Sequence, residues 1–227
     1  MAEVLVAALV WVVSHLALAT DPIRKNLVAA VGSGPFLGLY SLVATASLIY
    51  LIWVYTDVPR FDYMWLPNPD LYWVSKVTMP VALILLVGGF MVKNPTNVGM
   101  SLDDVEDASQ LATGVTRITR HPFQWAVVIW GIGHVVANGD WVSIIFFTSF
   151  VVISGAGTFL MDRKKALSLG AGWTQYSRVT SNVPFAAIAR GDNRLVWGEL
   201  GLPALAGLVA YGVLYYFHEA ITGSIII

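Results

Sequence analysis

The stretch Pro122–Met161 reads PFQWAVVIWGIGHVVA-NGD-WVSIIFFTSFVVISGAGTFLM, and it decides the fold class. Across it Asp140 is the only Asp, Glu, Lys or Arg, and it closes Asn138-Gly139-Asp140, a turn signal. A helix needs about 20 apolar residues to cross a hydrocarbon core roughly 30 Å thick. Two apolar runs joined by a tight turn therefore read as a helical hairpin that enters a bilayer and returns.

Four further segments behave alike: Val4–Thr20, Phe36–Tyr55, Leu71–Val92 and Leu202–Phe217, the third carrying Pro80, a kink signal. With Pro122–Ala137 and Trp141–Met161 they make about six spans in one 227-residue, all-α, polytopic membrane bundle. Composition agrees. Only 12% of residues are charged against 57% hydrophobic, and mean hydropathy is +0.70. Soluble domains average about 25% charged residues, so this chain lacks the means to coat itself for water.

The 13 basic residues are asymmetric. Alternating the spans puts Arg24, Lys25, Lys93, Arg117, Arg120, Arg163, Lys164, Lys165, Arg178, Arg190 and Arg194 at one end and only Arg60 and Lys76 at the other. The positive-inside rule makes the first end cytoplasmic and sends both termini to the opposite side. Ala17-Leu18-Ala19 looks like a signal-peptidase site, but the preceding residues hold Glu3 and no Lys or Arg, so the first segment is expected to remain as a span. The two longer cytoplasmic connections, Lys93–Arg120 and Asp162–Gly201, read as loops, the first carrying an acidic, solvated run Asp103–Asp107. Trp53, Trp65, Trp73, Trp141, Trp173 and Trp197 fit an interfacial aromatic belt.

Composition also excludes chemistry. A net charge of −1 offers no general attraction to nucleic acid, and the absence of cysteine removes thiolate ligands, iron–sulfur clusters and cysteine nucleophiles. No carboxylate stands in the middle of a span, which argues against paired-carboxylate catalysis. Ionisable groups inside a span are the default functional candidates. Those are His15 in the first and His134 in the fourth, with His121 opening the fourth and His218 closing the sixth.

Neutral imidazoles on two helices suit axial ligation of haem iron, although interhelical hydrogen bonding is the plain alternative. Gly131 and Gly133 beside His134 would let a flat macrocycle approach the backbone. His121 and His134 are about 20 Å apart along one helix and face opposite ways, so they cannot share an iron. His15 must pair with one of them. Depth favours His121, because His15 and His134 differ by roughly 10 Å. Arg117 and Arg120 beside the helix start at His121-Pro122 form an anion site for phosphate, carboxylate or haem propionates, or else anchor the chain to headgroups.

Arg117-Ile118-Thr119-Arg120-His121-Pro122, Trp125, Trp130, His134, Asn138-Gly139-Asp140, Ser143, Phe146-Phe147, Asp162-Arg163-Lys164 and Pro184-Phe185 together resemble the NnrU family of membrane proteins. Ser14-His15, Pro22-Ile23-Arg24 and Gly38-Leu39-Tyr40-Ser41 agree with it too, so the likeness runs from about Val4 to Gly191. That family is similar to the 15-cis-zeta-carotene isomerases of plants and cyanobacteria, membrane enzymes that use haem b. The resemblance implies haem b held by His15 and His134, a hydrophobic polyene as substrate, and a cis–trans isomerase-like reaction. Gly131 stands where the isomerases carry a cysteine proposed to exchange as a ligand, so no such exchange is expected here. Bacterial members are associated with denitrification, which implies an inner-membrane accessory protein or haem-based sensor that meets nitric oxide.

A weaker likeness joins Arg120-His121-Pro122, Asp162-Arg163-Lys164, Leu167, Gly172, Tyr176 and Pro184 to the isoprenylcysteine and phospholipid methyltransferases. It implies S-adenosylmethionine as cofactor, but only Asp162 stands where their acidic pair would be.

Overall fold

A computed structural model describes residues 1–97, 100, 102 and 105–223. Eight α-helices appear among them: α1 Ala2–Ala19, α2 Ile23–Val31, α3 Ser33–Asp57, α4 Pro69–Phe90, α5 Pro122–Asn138, α6 Trp141–Val179, α7 Ala186–Ala189 and α8 Trp197–Thr222. No strand longer than an isolated bridge occurs among the described residues. α1, α3, α4, α6 and α8 are each long and apolar enough to span a bilayer. α5, at 17 residues, extends about 25 Å and packs between α4 and α6 as the sixth member.

The neighbours run in a row: α3 against α1, α1 against α6, α6 against α5, α5 against α4, and α4 against α8. Leu42, Ile49, Val77, Phe159 and Leu205 stay more than half exposed on the spans. Such surface is untenable in water, where each buried side chain of this kind is worth about 1.5–3 kcal/mol. Lipid is the medium that makes it stable, and it forces helices, because backbone groups find no water there. Small residues set the contacts: a Cβ on Gly207 would fall 2.6 Å from Ile84 Cα, so α8 meets α4 almost backbone to backbone.

Two of the loop expectations are corrected. α6 does not stop at Met161 but continues to Val179, broken only by the non-helical backbone of Gly170 (φ 51°, ψ −120°). Asp162–Leu169 is polar yet rich in strong helix formers, so hydropathy ended there while the helix did not. The connection before α5 is also built: the 3₁₀ turns Ala108–Leu111 and Gly114–Arg117 lie along it, and Ala108 and Ala112 pack with Trp173 and Tyr176. Asp103 and Asp104 of the acidic run lie outside the described residues. Trp173, expected in the interfacial belt, is buried in that cluster at 6% exposure, because the extended α6 carries it under the connection.

The turn Asn138-Gly139-Asp140 is present as expected. Gly139 adopts φ +73° as the cap of α5, Asp140 accepts from Ser143 N at 2.8 Å to open α6, and Trp65 covers the turn, its Nε1 donating to Val136 O at 2.9 Å. A Cβ on Gly139 would collide with the Trp65 backbone and ring. Gly139→Ala is therefore expected to destabilise by about 2 kcal/mol or more through strain and overlap combined. A fall in the unfolding midpoint in detergent would show it; an unchanged midpoint would refute it.

Candidate functional site

The row of helices puts α1 and α5 on either side of α6, so His15 and His134 flank one helix. Trp11 and His15 stand one turn apart on α1 with ring centroids 4.4 Å apart, and Tyr40 of α3 meets the His15 ring edge-on at 5.4 Å. His15 Nδ1 and Trp11 Nε1 are both buried and have no hydrogen-bond partner. Such orphans are rare, and each calls for an explanation.

His134 is differently held. Its Nδ1 lies 2.8 Å from Trp130 O, one turn back on α5. A carbonyl oxygen can only accept, so Nδ1 carries the proton and Nε2 carries the lone pair. The ring stacks on Phe147 at 4.7 Å and touches Trp130 at 5.1 Å.

α6 supplies the bridge. Phe150 touches Trp11 at 5.8 Å and Trp130 at 5.4 Å. A chain of rings, rather than a direct ring contact, joins the two imidazoles: His15 to Trp11, Phe150, Trp130 and His134. Phe150 marks one level in the membrane, with His15 a turn beyond Trp11 towards the basic end and His134 a turn beyond Trp130 the other way. The two histidines thus differ in depth by about two turns, roughly 12 Å, close to the offset expected from the sequence.

Gly131 and Gly133 do not open a slot. A Cβ at Gly131 would lie 2.6 Å from Val151 Cγ2, and one at Gly133 would collide with Thr78. Both glycines are consumed by helix packing, α5 on α6 and α5 on α4. Open space lies instead along α6 at Gly155 and Gly157, where an added Cβ meets nothing within 4 Å. The donor chemistry suits a haem, with one imidazole carrying an orphaned nitrogen, a second with its tautomer set for ligation, and aromatic surroundings, but rings about two turns apart in depth would have to draw level before they could share an iron. No cluster of three His, Cys, Asp or Glu that could hold a metal ion occurs among the described residues.

His121 belongs to another site, at the basic end. Asp162 of α6 receives both prongs of Arg120, Nε at 2.8 Å and Nη2 at 2.5 Å. It also lies 2.6 Å from His121 Nε2 and 3.4 Å from Asn182 Nδ2. Around this core Asn94 and Thr96 donate to Arg120 O at 3.1 and 3.0 Å, and Tyr176 donates to Asn94 at 3.3 Å. Arg117 makes the same bidentate fork with Glu199 at 2.7 and 2.9 Å, and reaches Asn193 at 2.9 Å. Both forks expected for propionates are thus filled by carboxylates of the chain. Glu199, Asn182, Asn193 and Asn94 escaped the sequence reading; the first acidic residue on entering the last span was the available signal for Glu199.

His121 is fully enclosed, with Nδ1 unpartnered. Burial pushes its pKa below the ordinary 6.5, outweighing the upward pull of Asp162. The unfolded chain therefore binds this proton more readily than the folded one. The stabilising contribution of neutral His121 is full above pH 6.5 and is lost as pH falls below it. The unfolding midpoint in detergent should drop between pH 7 and 5.5, and His121→Asn should flatten that slope; an equal slope in both proteins would refute it.

A family model described as NnrU protein matches residues 3–225. The 15-cis-zeta-carotene isomerase of Arabidopsis thaliana is 32% identical over 116 residues, covering 49% of this chain and 32% of that protein. The Zea mays protein of the same name is 32% identical over 83 residues, covering 37% of this chain and 23% of its own length. The chain thus spans about a third or less of the curated relatives it matches. No solved structure matches it.

Proposed function

The chain belongs to the NnrU family, and from that membership we propose that it holds haem b through His15 and His134 and works as a cis–trans isomerase-like enzyme on a hydrophobic polyene. The observation that carries this reading is the pair of imidazoles on either side of α6, one with a buried orphan nitrogen and one with its Nδ1–H tied to Trp130 O. The partial likeness to proteins named as zeta-carotene isomerases supports the reaction class. When bound, the haem would supply a redox-poised iron able to weaken a polyene double bond.

The chain's own contribution is orientation and exclusion of water. The Trp130 carbonyl fixes which His134 nitrogen faces a ligand, and Phe147 stacks on the ring to hold its plane. Trp11, Tyr40, Phe146, Phe147, Phe150 and Trp130 surround the pair with apolar surface, which would favour a long hydrocarbon over water. Arg117 and Arg120 would serve propionates only by releasing Glu199 and Asp162.

Two other readings remain in competition. A haem-based accessory of denitrification would use the same histidines towards nitric oxide, without turnover of a polyene. A methyltransferase reading draws on the convergence of Arg120, His121 and Asp162. Purification in detergent after expression with adequate haem, followed by oxidised and reduced absorption spectra, tests the first claim. A Soret band is expected, and its absence would end the haem reading. Isomerisation of a cis-polyene by that material distinguishes enzyme from accessory. Saturable S-adenosylmethionine binding by calorimetry, abolished in Asp162→Ala, would instead favour methyl transfer.

A further inference from the structure

We propose that the connection between α3 and α4 is an anchor embedded in the leaflet opposite the basic end, with Phe61, Met64 and Leu66 inserted among the acyl chains. The connection is fastened over the α5–α6 turn rather than hanging free. Met64 N donates to Gly139 O at 2.9 Å and Trp141 N donates to Asp62 O at 3.1 Å, so that Tyr63 and Asp140 form an antiparallel bridge. Trp65 Nε1 donates to Val136 O at 2.9 Å, and Arg60 Nε lies 3.9 Å from the Asp140 carboxylate. These contacts fix the connection as a cover on Asn138-Gly139-Asp140.

The depth of that turn points to lipid as what lies outside the cover. At the basic end Arg120 and His121, just ahead of α5, meet Asp162, which follows the apolar run of α6. That level marks one boundary of the hydrocarbon. From it α5 rises by only 17 residues, about 25 Å, and stops short of a core roughly 30 Å thick. Trp53, Trp73 and Trp141 stand exposed at the same end of the bundle, as an interfacial belt does. Backbone groups at such a depth need protein partners instead of water, and the cover supplies them to Val136 O, Gly139 O and Trp141 N. Its outward surface is apolar: Phe61, Leu66 and Met64 are 83%, 74% and 61% exposed. Apolar side chains held out on a fixed backbone are a liability in water, whereas acyl chains accommodate them.

Because the chain has no Cys, single cysteines can read the depth of each position. Phe61→Cys, Met64→Cys and Leu66→Cys are made in the full chain, with Asp70→Cys as the reference. Asp70 is exposed at the start of α4, one turn outside Trp73. Each variant is spin-labelled in nanodiscs of phosphatidylcholine and phosphatidylglycerol, and electron paramagnetic resonance measures collisions with oxygen, which prefers lipid, and with a nickel chelate, which prefers water. The oxygen-to-nickel ratio at positions 61, 64 and 66 should exceed that at position 70 severalfold. If one variant does not fold, the remaining two decide the matter. Ratios equal to that of position 70 would put the connection in water and overturn the proposal. Immobilised labels that collide with neither reagent would put a protein partner or a second copy of the chain on this surface, and would overturn it equally.

Discussion

In His134→Ala the Soret band of the purified protein is expected to fall below about a tenth of the parent's, and His15→Ala should behave alike. With haem held as proposed, removing either imidazole would leave the iron one ligand short. No Cys exists in the chain, and the rings around both histidines are Trp, Phe and Tyr. Loss of an outer partner alone reduces metal affinity by roughly 10–100-fold in comparable sites, so loss of the ligand itself should exceed that. His121→Ala is the discriminating control. Its Nε2 is spent on Asp162, and it lies outside the chain of rings linking Trp11, Phe150 and Trp130. It should retain haem, while losing stability. Normal spectra in both His15→Ala and His134→Ala, with loss in His121→Ala, would show that the shallower pairing is the real one.

Asp162→Ala should give the largest loss of stability in the molecule, about 3 kcal/mol or more. Asp162 and Arg120 side chains are only 20% and 14% exposed, so deletion strands a guanidinium and an enclosed imidazole together. The damage should spread, because Arg120 also donates to Thr180 O and its carbonyl receives Asn94 and Thr96. That single residue thus ties the segment after α4, the start of α5 and the end of α6. Unfolding in detergent would read the loss. Arg120→Gln/Asp162→Asn should recover a substantial part of it, since no net buried charge remains. A double variant as unstable as Asp162→Ala would mean that packing, not the unpaired charge, was the cause.

Both predictions depend on features of unequal visibility. The spans were legible because hydropathy is a local property: forty residues around Asn138-Gly139-Asp140, with one charge among them, have no folded state in water. The candidate histidines were legible by elimination, since nothing else ionisable enters the core. Where α6 ended was not, because a helix persists through Asp162–Leu169 on propensity after hydropathy has gone. The roles of Gly131 and Gly133 were misread for a related reason. A missing side chain in a sequence says that something comes close, not whether it is a cofactor or Val151 and Thr78 of neighbouring helices.

What the residues determined unaided was therefore the solvent, the helical class, the clustering of basic residues at one end and the short set of groups able to do chemistry. Only the tertiary structure decided which of those groups meet. Packing α6 between α1 and α5 put His15 and His134 on a common wall of rings, and the same long helix delivered Asp162 to Arg120 and His121. Pairings of this kind depend on helix order and rotation, which arise from close contacts such as Gly207 on Ile84 and Gly131 on Val151, and those contacts are non-local.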